Sequence, residues 1–498
     1  MVDDDKIKAV ELGAPEEYEV TQHPSQKYSA TQDGDGVWKM GSMPVDPSQG
    51  FKAKEIQLFS FERPHMRAFH FAWMSFFIAF TCWFAFAPLM PIVKQSLGMN
   101  IKQIFAVNIA SVASTVTTRF IVGPLCDKWG PKRCQTFLLG WITCFVLLGA
   151  AVENVWGLGI VRFMIGFGGA TFVVTQFWSS QMFAKEIVGL ANACTAGWGN
   201  LGGGVTQMLM VGVFSFMVKV VGVGKTDGWR LSFIVPAFIA GTCTIAMYLF
   251  SDDSPRGDLN ELYAEGVLRR KTAKDSMKVG FSNVNSWLLG VQYACCFGVE
   301  LHVNNTAATY FALRNTFGVG PIDAGLIASL FGWMNLFARS AGGFFSDYGN
   351  KVAGMRGRMW AHTICLFTEG LCLVVFSRFA TLTGAIPSLV VFSFFVQASE
   401  GTSFAIVPYV EPQALGGVCA VVGAWGNIGA VAWGMMFLFG FSGNIADGFA
   451  TLGCVIVASA FVTFAIKIKG HSAMLSGAGD DVPDGTKADA RDDKDAGN

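Results

Sequence analysis

Charge is scarce in this sequence. Asp, Glu, Lys and Arg make up only 14% of 498 residues, and 36 basic residues balance 36 acidic ones to a formal net charge of zero. Such a balance supplies no basic face for a polyanion, so no nucleic-acid partner is expected. Patterned cysteine is lacking too. The 12 cysteines are scattered, mostly inside apolar segments (Cys82, Cys144, Cys194, Cys365, Cys419), and the one close pair, Cys295 and Cys296, is adjacent on one helix. Neither metal-ligand spacing nor a disulfide framework results, and each thiol reads as a small buried hydrophobe. Catalytic groups are equally short. Gly197-x-Gly199-x-x-Gly202 satisfies the dinucleotide pattern, but that pattern needs a preceding strand and a helix N-terminus open to water, and neither is predicted. No enzyme, cofactor or metal site is expected.

What the chain has in abundance is apolar length. It is 52% hydrophobic, with 45 Phe and 58 Gly, and its apolar runs repeatedly exceed the roughly 18 residues that read as membrane-spanning. Lipid is therefore its surroundings. The first run begins near Ala68 after a polar stretch without a signal-peptide pattern, so the first membrane helix is expected to direct insertion. Residues 1 to about 50 and 471–498 are expected to be disordered, being polar with little apolar content. Apolar runs between breakers predict twelve helices, near 68–92, 101–125, 134–152, 156–184, 187–218, 229–250, 285–313, 322–346, 358–378, 383–410, 414–441 and 444–467. The polar stretch Ser251 to Asn283 divides them six and six. The expected organisation is an N-terminal tail over 1–67, a six-helix bundle over 68–250, a central loop over 251–284, a second six-helix bundle over 285–467 and a C-terminal tail over 468–498. Lysine and arginine crowd one side: Lys128, Lys132 and Arg133, the loop cluster Arg269, Arg270, Lys271, Lys274 and Lys278, and Lys351, Arg356 and Arg358. The positive-inside rule puts that side, both tails and the central loop in the cytoplasm.

The two halves repeat. Arg119, Gly123 and Asp127 align with Arg339, Gly343 and Asp347, each pair 220 positions apart. Trp198-Gly199-Asn200-Leu-Gly202 aligns with Trp425-Gly426-Asn427-Ile-Gly429 at an offset of 227. Two matches in the same order at nearly one offset indicate duplicated six-helix bundles, hence pseudo-symmetry.

Arg119 and Arg339 each sit inside an apolar run. A guanidinium keeps its proton and costs roughly 2.5 to 3.5 kcal/mol at mid-bilayer, so it demands a counter-charge. No acid stands three or four positions away: Arg119 has Thr115, Val116, Val122 and Gly123, and Arg339 has Asn335, Leu336, Gly342 and Gly343. The counter-charge is either a carboxylate from another helix, with Glu300, Glu369 and Glu400 available, or a transported anion. Parallel N–H donors of two opposed guanidiniums suit a small planar oxyanion. Trp83 and Phe86 on helix 1 and Phe172 and Phe177 on helix 4 are candidate aromatic walls for it. Glu300, in the most polar stretch of the second half, is a candidate proton carrier; Glu400, Glu369 and His302 compete for that role, and a fixed counter-charge to an arginine is the alternative.

Gly123-Pro-Leu-Cys-Asp127-Lys-Trp-Gly130-Pro-Lys132-Arg133 resembles the loop signature of the major facilitator superfamily, GxxxDxxGx[RK][RK]. Gly123, Asp127, Gly130 and Arg133, with Asp347 in the looser second copy, are expected to serve gating through close helix approach and exchangeable ion pairs. Within that superfamily, the glycine-rich segments Ala196 to Gly204 and Gly423 to Gly429 look like the paired signatures of the nitrate/nitrite porter family, in its eukaryotic high-affinity nitrate transporter branch. The resemblance covers about residues 60 to 470. It implies the major facilitator fold and import of nitrate, with nitrite as a second substrate, across the plasma membrane by alternating access coupled to proton symport. It further implies that Arg119 and Arg339 surround the anion, and that Asn200 and Asn427, with Gly199, Gly202, Gly426 and Gly429, shape the site. Small-residue helix packing is the competing account of those glycines. Some members of the family require a single-span accessory subunit. A nitrate/nitrite antiporter, a carrier of another small anion such as an organic carboxylate or phosphate, and a nutrient sensor are the rival readings.

Overall fold

The computed structural model describes residues 28–184, 187–258, 273–411, 414–469 and 471–475. Of the ends expected to be disordered, residues 1–27 and 476–498 lie outside the described residues, as does the basic cluster Arg269 to Lys271.

Nine helical stretches among the described residues are long and apolar enough to cross a membrane. The first half contains α1 (His65–Trp83), α2 (Met90–Leu97), α3 (Ile101–Trp129), α4 (Pro131–Leu148), α5 (Val155–Ile165), α6 (Thr171–Met182), α7 (Val188–Phe216), α8 (Lys225–Leu231) and α9 (Ile234–Phe250). After the short α10 (Ala273–Ser282), the second half contains α11 (Val284–Leu313), α12 (Pro321–Trp333), α13 (Ala338–Arg378), α14 (Leu382–Val410), α15 (Leu415–Gly440) and α16 (Ile445–Ala460). The stretch Pro321–Arg378 is two spans, because the chain leaves helical geometry at Ala353 and Gly354, the latter at φ 58°. Polar side chains dilute the hydropathy of α11, as His65, Arg67 and His70 dilute that of α1, yet both are deeply packed. Counted in this way the helices are consistent with the twelve expected.

Local chemistry sets the helix ends. Asn100 opens α3 with a reciprocal capping box, its side chain accepting from the Gln103 N–H at 2.9 Å while the Gln103 side chain accepts from the Asn100 N–H at 2.9 Å. Gly130 closes α3 at φ 82°, a value that disfavours any other residue, and Pro131 then opens α4. The Asp253 carboxylate crosses from the end of α9 to accept the Lys132 N–H at 2.8 Å, and a Cβ at Gly130 would stand 2.8 Å from that carboxylate. The Gly130 of the loop signature is thus required twice, once by its backbone and once by Asp253.

The bundles meet mainly through α7 against α12 and α3 against α15. Small residues bring them together at the end away from the tails: a Cβ on Gly204 would lie 2.5 Å from the backbone of Gly332, and one on Gly325 would lie 2.5 Å from Val211. At the tail end, Phe120, Ile121, Phe344, Phe345 and Tyr348 are exposed.

One expectation fails. Residues expected to be disordered form a four-stranded antiparallel meander, β1 (Thr31–Gln32), β2 (Trp38–Met40), β3 (Met43–Asp46) and β4 (Lys52–Ala53), in the order β1-β2-β3-β4. It docks on the first bundle: the Ala184 N–H donates to the Ala53 carbonyl at 2.9 Å, Lys52 Nζ donates to the Ser180 carbonyl at 2.7 Å, and His65 Nε2 lies 2.8 Å from the Phe51 carbonyl. Met40, Met43, Val45, Phe51 and Ala53 are buried by this docking, which supplies the apolar surface that so short a sheet cannot bury alone.

Candidate functional site

Halfway along the spans, the bundle interface holds a cluster of buried polar groups. Arg119 projects from α3 and is 7% exposed. The 3-10 stretch Gly166–Ala170 interrupts the helix between α5 and α6, and there the Gly169 carbonyl accepts from Arg119 Nε and Nη2, both at 3.3 Å. Arg119 Nη1 donates to the Gly423 carbonyl of the other bundle at 2.9 Å. The guanidinium lies over the rings of Phe172 and Phe297, at 5.1 and 5.5 Å, and those rings are tilted by 31°. Backbone carbonyls orient this cation without neutralising it. Two faces of π-electron density add stabilisation of about 2 kcal/mol when desolvated.

Arg339, on α13, differs from its repeat counterpart. Nη1 stands 2.6 Å from Glu400 Oε2 of α14, and Nη2 donates to the Tyr293 hydroxyl of α11 at 3.1 Å. The carboxylate alternative raised by the sequence is therefore realised at Arg339. Glu300 accepts from Asn335 Nδ2 at 2.7 Å and from Asn200 Nδ2 at 3.3 Å, and it lies within electrostatic range of both Arg339 and Glu400. The centre thus holds two guanidiniums and two carboxylates, all buried. Asn427 donates to the Gly423 carbonyl at 3.2 Å, the same oxygen that holds Arg119. The Oδ1 atoms of Asn200, Asn335 and Asn427 have no hydrogen-bond partner.

The glycines of the paired segments have a packing role. A Cβ at Gly199 would strike the Phe76 ring at 1.7 Å, and one at Gly202 would strike the Phe77 carbonyl oxygen at 2.1 Å. Gly426 and Gly429 do the same between α15 and α11, against Phe297 and Ala294, each at 2.5 Å. All four let helices touch at the depth of the cluster.

Of the aromatic candidates, only Phe172 contacts Arg119. Trp83 donates to Ser111 and packs close to Gly169, one step from the guanidinium. Phe86 is elsewhere: its ring packs on Phe233 at 4.1 Å and lies 5.8 Å from Arg162, because α1 ends at Trp83 and Phe86 stands in the turn beyond it. Phe177 packs beside Val122 and Cys126 instead. Glu369 is buried on α13 with neither carboxylate oxygen hydrogen-bonded, and His302 packs among Phe105, Phe437 and Phe449.

Among the gating candidates, Arg133 pairs with Asp258 at 2.7 Å and Asp347 pairs with Arg358 at 2.8 Å. Gly123 has open space where a Cβ would go, and the side chain of Asp127 is outside the described residues. Asp253, missed in the sequence, is held protonated up to about 7 chiefly by burial, which outweighs the Lys132 N–H that favours its charged form.

Tyr293, Phe297 and Asn335 were also missed. Tyr293, Phe297 and Glu300 stand at i, i+4 and i+7 on α11, one face of that helix, and Asn335 lies four positions before Arg339. Periodicity about the charged residues is the signal that finds them.

Residues 72–434 match the Major Facilitator Superfamily. The chain is 38% identical over 417 residues to the high affinity nitrate transporter 2.5 of Arabidopsis thaliana, covering 84% of this chain and 82% of that one. It is 37% identical over 436 residues to the high-affinity nitrate transporter 2.3 of Oryza sativa subsp. japonica, covering 87% and 84%. The nitrate/nitrite transporter NrtP of a Picosynechococcus strain is 28% identical, over 73% of this chain and 83% of that one. Among solved structures, a bacterial homologue of the lysosomal transporter Spinster in an inward-facing, occupied conformation superposes with a TM-score of 0.58 at 12% identity, over 80% of this chain and 94% of that one. The nucleoside transporter NupG gives 0.57 at 13% identity, over 80% and 98%. These two show the fold alone. The chain is a membrane transporter of the Major Facilitator Superfamily and, within it, belongs to the eukaryotic high-affinity nitrate transporter family. It is not an enzyme.

Proposed function

We propose that this protein imports nitrate, and nitrite as a second substrate, across the plasma membrane by alternating access coupled to proton symport, with both termini in the cytoplasm. The observation that carries the reading is Arg119. It is a buried guanidinium at the bundle interface whose three nitrogens rest on neutral carbonyls from both bundles, between two aromatic rings. A planar oxyanion fits that slot: it takes two parallel N–H bonds in the plane of the guanidinium and lies against the rings without needing water.

Coupling follows from the charge count. With Glu300 and Glu400 ionised the centre is neutral, and Glu400 occupies Arg339. Protonation of both carboxylates releases Arg339 to join Arg119 and leaves the centre at two positive charges, one of which the anion neutralises. Two protons per nitrate leave one net positive charge moving inward, worth about 2.3 kcal/mol per 100 mV, or roughly 50-fold in accumulation. Nitrate alone would lose that amount. Gly123, Asp127, Gly130, Arg133 and Asp347 serve the rearrangement at the tail end, where Arg133 and Asp347 exchange partners as the bundles rock.

The reading is tested by nitrate-evoked current in a voltage-clamped cell at two external pH values. Inward positive current that grows on acidification is expected. A nitrate response when a single-span accessory subunit is co-expressed, but not with the chain alone, would assign that subunit; no nitrate response in either would sink the proposal.

A further inference from the structure

A third arginine is buried in this molecule and the transport centre does not use it. Arg162, on α5, is 1% exposed, and no ion pair among the described residues includes it. Its Nη2 donates to Asn305 Oδ1 of the other bundle at 2.7 Å, while Nε and Nη1 have no hydrogen-bond partner. A lone buried guanidinium with two idle nitrogens is costly, since a desolvated charged donor left without an acceptor loses the bonds that water would have given it. Uncharged amides continue from Asn305 along the same seam. Asn108 of α3 donates to the Asn305 carbonyl at 3.3 Å, and Gln207 of α7 donates to the Asn304 carbonyl at 2.8 Å. Asn108 Oδ1, Gln207 Oε1 and both side-chain polar atoms of Asn304 are left without partners. The face of Phe86 lies 5.8 Å from the guanidinium.

Position gives the cluster its meaning. Asn108 lies eleven residues before Arg119 on α3, about 16 Å along the helix axis and on the side away from the tails. Asn305 crosses the seam between the bundles, and its neighbour Asn304 stands 3.3 Å from where a Cβ on Gly203 would lie, next to the close approach of Gly204 to Gly332. Parting the bundles at that end removes Asn305 from Arg162 and leaves a cation, an aromatic face and several amides facing the opening.

We infer that Arg162, with Asn108 and Asn305, forms a second binding station for the transported oxyanion, on the path from the outer face to Arg119 and closed in this conformation by Asn305. The inference rests on the nitrate reading above. An anion arriving from dilute solution meets Arg162 first, where the guanidinium replaces part of its hydration, and passes to Arg119 as Asn305 returns. Station and centre share the arginine and aromatic chemistry, but only the centre holds carboxylates able to exchange protons.

Sided transport kinetics test it. Uptake of labelled nitrate into cells or outside-out oriented proteoliposomes is measured for the wild type, Arg162→Gln and Asn305→Asp, with efflux measured from the tail side. Asn305→Asp keeps the side-chain volume and sets a fixed carboxylate against Arg162, so it disables the station even if Arg162→Gln fails to fold. Both are expected to raise the uptake KM about tenfold with Vmax within twofold, and to leave the efflux KM unchanged. Wild-type uptake with an unchanged KM in Asn305→Asp, or a change confined to Vmax, overturns the station and identifies Arg162 with Asn305 as a closing latch only. No nitrate uptake by the wild type overturns the nitrate reading and this inference with it.

Discussion

Replacing Arg119 by lysine keeps the charge and removes the geometry. Arg119 reaches two carbonyls on opposite bundles at once, Gly169 through Nε and Nη2 and Gly423 through Nη1. A lysine ammonium donates from one nitrogen and cannot span that gap or present a parallel pair of N–H bonds to an oxyanion. Losing one charge-assisted bond to the anion costs about 1.5 to 3 kcal/mol, which is roughly 10- to 150-fold in affinity. The flat stacking on Phe172 and Phe297 is lost as well. Nitrate uptake by reconstituted Arg119→Lys is expected to show a KM raised by at least tenfold, with monodispersity and Tm near those of the wild type. A KM within twofold of wild type would refute the bidentate argument.

Three further outcomes follow from other parts of the molecule. Glu400→Gln removes the carboxylate that occupies Arg339 at 2.6 Å; nitrate exchange across a membrane without gradients should persist while accumulation driven by a pH gradient disappears, as radiotracer counterflow against gradient-driven uptake will show. Asp253→Asn removes a carboxyl whose pKa is raised to about 7 in the folded protein by burial. The unfolded state titrates near 3.9, so the ionised form opposes folding increasingly as pH rises from about 4 to about 7 and fully above it. Thermal unfolding in detergent should therefore show Asp253→Asn gaining stability at pH 8 and gaining nothing at pH 4, the asparagine oxygen still accepting the Lys132 N–H; an equal effect at both values would remove burial as the cause. Gly204→Ala places a methyl 2.5 Å from the backbone of Gly332, so spin labels on α7 and α12 should report a wider separation at the end away from the tails, with transport lost. Unchanged label distances would show that this seam yields more easily than its packing implies.

Much of this architecture was legible because a bilayer imposes it. Span length, the polar divide after α9 and the two offsets in the repeat follow from apolar patterning and from residues such as Arg119, Arg339, Asn200 and Asn427, all of which meet at one depth. The repeat also misled. It presented Arg119 and Arg339 as equals, whereas Glu400 of α14 reaches Arg339 and no acid among the described residues pairs with Arg119. It hid Arg162, since Leu382 and Leu389 stand at the two repeat offsets from it and an arginine without a counterpart drew no notice. Phe86 was expected on the first helix, but α1 ends at Trp83 and the turn after it carries Phe86 to Arg162. The β-meander was invisible for a different reason: strands of two to four residues are too short for alternation to register, and their buried faces depend on α1 and on Phe183 and Ala184 at the end of α6.

The central claim is that protons move with nitrate through the Arg119 centre. The most direct measurement is nitrate uptake into proteoliposomes of the purified chain under an acid-outside gradient, with the membrane potential held at zero and external pH recorded. The account predicts accumulation of nitrate above its external concentration together with alkalinisation outside, both abolished when the pH gradient is collapsed. Accumulation that persists without the gradient, or nitrate movement with no accompanying proton movement, would contradict it.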